Sequence, residues 1–278
     1  MEKIDHIIAN AILEDIGDGD HTSLSCISAD TIGQAQLIVK ENGILAGIEI
    51  AKRVFSAIDK NLEIDIFLTD GTQISKGDIA FTVKGKVHSI LQAERLVLNI
   101  MQRMSGIATQ TNIYTEKIKD LKTKILDTRK TTPGVRILEK MAVKLGGGEN
   151  HRMGLFDMIM IKDNHVDFAG GIVNAISKTQ KYLSEKNKTL KIEIEVRNFE
   201  ELNQVLEFGG VDFIMLDNFS VENTRKAVEI IAGRYKTESS GGINIQTLRS
   251  YAETGVDYIS IGALTHQIKS LDLSLKAV

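Results

Sequence analysis

A single cysteine, Cys26, means that no disulfide can form within the chain, and so sparse a thiol content fits a reducing compartment. A single proline, Pro133, leaves no Pro-rich linker to mark a domain boundary. No apolar run approaches the ~20 residues needed to cross a bilayer. The opening Met1-Glu2-Lys3-Ile4-Asp5 lacks the charged-then-apolar layout of a secretory leader. The expectation is a cytoplasmic protein with no membrane partner. The acids between Glu14 and Asp20 lack EF-hand spacing and a closing glutamate, so they read as a turn capped by Asp and Thr rather than a calcium loop. No Cys or Ser stands beside a His in a nucleophile arrangement, which argues against covalent catalysis.

What is present describes an ordinary globular chain. Its 278 residues, 42% hydrophobic and 26% charged, suffice for one large or two modest domains with a real core. The net charge is −3, yet Lys122 to Arg152 carries eight Lys/Arg against three Asp/Glu. A cationic block inside an acidic protein suits a local anionic ligand better than nucleic acid, which would need a whole basic surface.

Periodicity divides the chain. Ile4, Ile7, Ile8, Ala11 and Ile12 form a helical stripe. Residues 33–85 read as antiparallel β structure, with strands near 35–39, 62–67 and 79–83 and a helix around 48–59. Residues 88–120 are helical, and Arg95, beside Glu94, reads on the residues alone as a helix-surface arginine paired with an acid. From Lys124 onward, strand candidates centre near 126, 160, 194, 215, 237 and 260, with helical stretches between them. That alternation predicts a parallel sheet with right-handed crossovers, closed into a barrel or near-barrel; an open doubly wound sheet is the alternative.

The chemistry sits where these strands end. Ile125-Leu126 gives way to Asp127-Thr128-Arg129-Lys130, and 158–161 to Lys162-Asp163-Asn164-His165. Glu195 and Asp217 close two neighbouring strands, a pair able to hold Mg²⁺, bind sugar hydroxyls or exchange protons. Gly241-Gly242 precedes a helix and Gly262-Ala263 follows the last strand, the recurring phosphate seat of β/α barrels. Arg129, His151 and Arg152 supply donors for carboxylates or phosphates. If the strands are parallel, all of these tips share one face, suited to a phosphorylated sugar with metal and an acidic second substrate.

The segments Leu126 to Gly134, Gly146 to Leu155 and Ile161 to His165 resemble the quinolinate phosphoribosyltransferase (carboxylating nicotinate-nucleotide pyrophosphorylase) family. Supporting matches run in family order along nearly the whole chain, among them Ala93-Glu94-Arg95, Ser105-Gly106-Ile107-Ala108-Thr109, Glu193-Ile194-Glu195-Val196, Leu216-Asp217-Asn218-Phe219, Ser239-Ser240-Gly241-Gly242-Ile243 and Gly262-Ala263-Leu264-Thr265-His266.

The resemblance implies an α/β protein: an amino-terminal α/β sandwich domain at 1–108, a β/α barrel-like domain of about six parallel strands at 109–266, and a final helix at 267–278 packing on the first domain. It implies quinolinate plus phosphoribosyl pyrophosphate giving nicotinate mononucleotide, pyrophosphate and CO₂, with Mg²⁺, in NAD synthesis. Carried over by position, Arg95, Arg129, His151, Arg152 and Lys162 would hold the quinolinate carboxylates, with Thr128 also in the substrate site. Lys130, Glu195 and Asp217 would be catalytic, Glu195 and Asp217 holding the metal directly or through water. Ser240, Gly241, Gly242, Gly262 and Ala263 would bind the 5′-phosphate, with His266 nearby. Arg95 would reach a neighbouring site in a homodimer, with further assembly left open. The rival readings are a related phosphoribosyltransferase for another aromatic acid and a non-catalytic phospho-sugar sensor.

Overall fold

The computed structural model describes residues 2–278. In chain order its elements are α1 (Glu2–Ile16), α2 (His21–Cys26), β1 (Ile32–Val39), β2 (Gly43–Ile44), α3 (Ile48–Ile58), β3 (Glu63–Ile66), β4 (Gln73–Ile74), β5 (Ile79–Lys86), α4 (Val87–Lys117), β6 (Lys124–Leu126), α5 (Arg136–Leu145), β7 (Ile159–Ile161), α6 (Asp163–Ala169) and α7 (Ile172–Glu185). They continue with β8 (Ile192–Val196), α8 (Phe199–Phe208), β9 (Phe213–Asp217), α9 (Val221–Ile231), β10 (Lys236–Ser240), α10 (Leu248–Ala252), β11 (Tyr258–Ser260), α11 (Ala263–His266) and β12 (Leu273–Ala277). The acid-rich turn predicted near Asp20 caps α2, with the Asp20 carboxylate accepting from the Ser23 backbone N–H at 3.1 Å. Among the described residues no helix is long and apolar enough to cross a membrane.

The chain folds into two compact units. The first takes the residues up to Ile113 together with Thr131–Gly147 and Leu264–Val278. Its sheet has the order β12-β1-β5-β3, and every pairing in it is antiparallel. Alternation along β1 buries Ala35, Leu37 and Val39, as period-2 patterning requires. Phe55 of α3 meets Phe81 of β5 edge to face, with ring centroids 5.8 Å apart. Asp70 caps the start of α3 by accepting from the backbone N–H groups of Gly47 at 2.6 Å and Ile48 at 2.8 Å.

Two features of this unit depart from the sequence reading. The expected helix at 267–278 is instead β12, which pairs antiparallel with β1 in the register Leu37↔Leu275 and Val39↔Leu273. The reason lies in Leu273 and Leu275, a spacing of two that buries one face of a strand and does not line one face of a helix. Residues 131–147, placed by sequence in the barrel-like domain, cluster with the first unit. They are held there by the fully buried Glu139, which accepts from Arg103 Nε of α4 at 2.8 Å, and by Gly146, where any Cβ would run into the Ala108 carbonyl.

The second unit comprises Tyr114–Lys130 and Gly148–Ala263. Its six strands are all parallel, in the order β6-β11-β10-β9-β8-β7. The ladder is that of a barrel with one seam left open, since β6 and β7 are its two edges. Beside β6 the chain adds a single parallel bridge, Leu126↔Glu149. In β8 all five residues are buried, so alternation there separates apolar from acidic rather than inside from outside. Ile192, Ile194 and Val196 join a core with Ile214 and Leu216 of β9 and with Ile176, Leu202, Val205, Ala227 and Ile231 of the flanking helices. The intervening positions, Glu193 and Glu195, are thereby turned to the opposite face of the sheet. The same period turns Met160, Met215, Asp217, Glu238, Ser240 and Ser260 to that face, where all six line one cavity.

Candidate active site

The cavity measures about 690 Å³ and lies wholly within the second unit, at the carboxyl ends of its strands. This is where parallel β/α sheets present loops and helix starts free of ladder hydrogen bonds. Of the residues expected there, Thr128, Arg129, Lys130, His151, Arg152, Lys162, Glu195, Asp217, Ser240, Gly241, Gly242 and Gly262 all line it. Arg95, exposed on α4 of the first unit, does not, and neither do Ala263 and His266 at the two ends of α11.

The β6 end is organised by Asp127, which is fully buried. Its carboxylate accepts from Asn150 Nδ2 at 2.5 Å and from the His151 backbone N–H at 2.9 Å, and so pins the Gly-rich loop that carries His151 and Arg152. Arg152 Nη1 donates to the Met158 carbonyl at 3.2 Å. Burial and the neighbouring Arg129 guanidinium both disfavour its charge. Two guanidiniums close enough to oppose each other form a seat that an anion would relieve.

His151 is turned away from solvent. Its Nδ1 accepts the Arg152 backbone N–H at 2.8 Å, so that nitrogen bears no proton. The ring is therefore the neutral tautomer protonated at Nε2, which points to Glu193 Oε2 at 2.7 Å and Glu238 Oε2 at 3.4 Å. Glu193 and Glu238 are buried, and one oxygen of each, Oε1, has no hydrogen-bond partner. Burial pushes Glu193 up to about 7, and burial together with the Glu193 charge pushes Glu238 up to about 8. The sequence reading singled out neither acid. The signal for Glu193 was present, because a spacing of two from Glu195 puts both on one face of the strand; for Glu238 the strand register was needed.

Lys162 follows β7, and its Nζ lies 3.4 Å from Glu195 Oε2 on the adjacent strand. Burial raises Glu195, opposed by Lys162 and reinforced by Asp217. Burial likewise raises Asp217, opposed by Asn218, whose Nδ2 donates to Asp217 Oδ2 at 2.6 Å. Such shifts mark negative charge that the protein itself does not fully compensate. A pair of carboxylates with an open cavity beside them is an oxygen donor set that fits a hard divalent cation whose remaining ligands are waters and substrate phosphates.

The last two strand ends are glycine loops. Gly241 has φ +99°, and a Cβ there would collide with the Asn218 side-chain amide. Gly242 has φ +64° and faces open space. Asn218, at φ 55°, donates its backbone N–H to the Ser240 carbonyl at 2.9 Å, which locks the β9 tip to the β10 tip.

A six-stranded parallel β/α sheet with cationic loops at one edge, paired carboxylates on its middle strands and glycine loops on the last two defines the class of a barrel-type phosphoribosyltransferase. Comparison with known proteins narrows the class. Residues 20–105 match the family model "Quinolinate phosphoribosyl transferase, N-terminal domain" and residues 107–276 the model "Quinolinate phosphoribosyl transferase, C-terminal domain". "Quinolinate phosphoribosyltransferase [decarboxylating] 1b" of Nicotiana tabacum is 44% identical over 97% of this chain and 81% of its own length. "Probable nicotinate-nucleotide pyrophosphorylase [carboxylating]" of Bacillus subtilis is 41% identical over 98% of this chain and 93% of its own. The solved nicotinate-nucleotide pyrophosphorylase from Francisella tularensis superposes with TM-score 0.92 at 42% identity, covering 100% of this chain and 96% of that one. The chain belongs to the quinolinate phosphoribosyltransferase family.

Proposed function

We propose that this protein transfers the phosphoribosyl group of phosphoribosyl pyrophosphate to quinolinate with decarboxylation, giving nicotinate mononucleotide, pyrophosphate and CO₂ in NAD biosynthesis. The observation that carries the reading is the division of one cavity: Arg129, Arg152 and Lys162 on the β6–β7 side, and Glu195, Asp217 and the Gly241-Gly242 loop on the β8–β10 side.

Arg129 and Arg152 hold the two carboxylates of quinolinate. Each well-made charge-assisted bond contributes about 1.5–3 kcal/mol, and together they orient the pyridine nitrogen for attack and strip water from the diacid. His151, with both ring nitrogens engaged, acts by supporting the loop and the acids beneath the substrate rather than by gripping a carboxylate. The 5′-phosphate sits on the backbone N–H groups around Gly241, Gly242 and Gly262, which no Cβ obstructs.

Glu195 and Asp217 would hold Mg²⁺, which when bound would supply positive charge toward the leaving pyrophosphate. Lys130 adds a second positive charge on the same side. As the C1–oxygen bond breaks, the ribose takes on oxocarbenium character, and the Glu195 and Asp217 carboxylates stabilise it electrostatically and orient the ribose hydroxyls. Attack by the ring nitrogen gives a pyridinium, and its positive charge stabilises the electron pair left on C2 when the 2-carboxylate departs as CO₂.

Arg95 belongs to this reading as a contribution to a neighbouring subunit's site in a homodimer. Its exposure on α4 and its absence from this chain's own cavity lining favour that role. The lone Cys26 supports a cytoplasmic location. The reading is tested by incubating purified protein with quinolinate, phosphoribosyl pyrophosphate and Mg²⁺ and following nicotinate mononucleotide by chromatography. Product that depends on all three supports it, and no product in their presence refutes it.

A further inference from the structure

Decarboxylation leaves an electron pair on ring carbon C2, and nicotinate mononucleotide carries a hydrogen there. One proton must therefore arrive from outside the substrates. Resting on the function proposed above, we propose that Glu238 is a catalytic residue that delivers this proton as a neutral carboxylic acid. The C2–carboxylate bond breaks and its pair stays on C2. A C–H bond then forms with the proton of the Glu238 carboxyl, CO₂ departs, and Glu238 is left as a carboxylate that regains its proton from solvent.

The geometry carries the assignment. Glu238 sits at the middle of β10, lines the cavity, and is only 1% exposed. Its Oε1 has no hydrogen-bond partner. His151 and Glu193 face it, the ligand atoms of all three lying within 4.8 Å of one another, and Ser260 of β11 also faces it. Arg152, Lys162 and Glu195 act on Glu193 from the rim. Two carboxylates packed this closely and out of solvent cannot both stay ionised, so the pair retains a proton. His151, whose Nδ1 accepts the Arg152 backbone N–H, compensates Glu238 only in part, and burial together with the Glu193 charge outweighs it.

The other proton carriers lining the cavity are committed elsewhere. Guanidinium groups do not release protons in proteins, which removes Arg129 and Arg152. The single ring proton of His151 is directed at Glu193. Lys162 is paired with Glu195, and Lys130 is assigned to the leaving group. Asp127 and Asp163 accept backbone N–H groups, and Glu195 and Asp217 are given to the metal, which leaves Glu238 among the acids lining the cavity.

The test is Glu238→Gln, which preserves shape but has no transferable proton. A single turnover with labelled quinolinate is followed for pyrophosphate and nicotinate mononucleotide separately, alongside quinolinate binding and thermal melting. General-acid catalysis contributes about 10²–10⁴-fold, so mononucleotide formation should slow by at least about 10²-fold. Pyrophosphate release should persist, quinolinate mononucleotide should accumulate, and quinolinate affinity should stay within about threefold. The wild-type rate of the decarboxylating phase should fall as pH rises past about 8, and this limb should vanish in the variant. Pyrophosphate and mononucleotide slowing in parallel, or neither slowing, would overturn the assignment. If the wild-type protein makes no mononucleotide at all, the function itself fails, which separates the two claims. Should Glu238→Gln not fold, the same decarboxylating-phase pH profile of the wild-type protein decides: a rate flat from pH 6 to about 9.5 overturns the role of an acid with the pKa of about 8 assigned to Glu238.

Discussion

Lys162 Nζ stands 3.4 Å from Glu195 Oε2 across the β7–β8 pairing, a contact between the cationic and acidic sides of the cavity. Lys162 is nearly half exposed and Glu195 is buried, so the pair is a poor stability device and a good electrostatic one. Lys162→Ala removes a charge from the quinolinate side and frees Glu195 on the other. The expected outcome is a loss of kcat/KM for quinolinate of about 10²-fold with little change in melting temperature, measured by steady-state kinetics and calorimetry on the same preparation.

Arg129→Ala should raise the quinolinate KM or cut kcat/KM by orders of magnitude, because it removes one of two neighbouring guanidiniums proposed to hold the diacid. Arg129→Lys should restore only part of the loss, since a point charge replaces a fork. Steady-state titration of quinolinate at saturating phosphoribosyl pyrophosphate gives the comparison; wild-type kcat/KM in the alanine variant would remove Arg129 from the binding site.

The metal site proposed at Glu195 and Asp217 predicts metal dependence. Chelation with EDTA should abolish turnover and added Mg²⁺ should restore it. Glu195→Gln and Asp217→Asn should each raise the Mg²⁺ concentration needed for half-maximal rate. Because burial already raises both carboxyls, losing one should also relieve local repulsion, so the variants should melt no lower than wild type. A chelator-insensitive rate would detach these two acids from a metal role.

Gly241→Ala should damage the phosphate seat. At φ +99°, and with Asn218 in the path of a Cβ, the substitution forces the β10 tip away from the β9 tip. A non-glycine residue in left-handed backbone costs about 1–2 kcal/mol before any clash. The KM for phosphoribosyl pyrophosphate should rise by an order of magnitude or more, while quinolinate binding, read by calorimetry, changes less.

The buried acids predict a pH dependence of stability. Glu238 is raised in the folded state to about 8 from an ordinary carboxyl value near 4.5. Between those values the folded protein binds the proton more tightly than the unfolded chain does. Stability from this group is fully present below about pH 4.5 and is lost as pH rises toward about 8. Glu238→Gln should flatten that decline and melt higher than wild type at pH 8. Identical pH–melting curves for the two proteins would show that Glu238 is ionised in the native state.

Much of this architecture was legible in the chain. Strand tips that turn from apolar runs into Arg129-Lys130, Lys162-Asp163 and Asp217-Asn218 announced a parallel sheet with its chemistry at one end, and the structure arranges them so. What was missed depended on long-range pairing. Leu273 and Leu275 become part of a strand because β1 offers an edge some 240 positions earlier in the sequence, and no local signal announces that partner. The Thr131–Gly147 segment clusters with the first unit through Arg103 and Glu139, a pair that periodicity cannot connect. Glu238 looked like the polar end of a short strand until its register beside Met215 and Tyr258 placed it on the cavity floor.

The central claim is that one cavity performs both transfer and decarboxylation. The most direct measurement uses quinolinate labelled in its 2-carboxylate, with pyrophosphate, CO₂ and nicotinate mononucleotide counted together in the presence of phosphoribosyl pyrophosphate and Mg²⁺. The account predicts that the three appear in equal amounts and that none appears when any component is omitted. Pyrophosphate formed without labelled CO₂, or with another aromatic acid in preference to quinolinate, would contradict it.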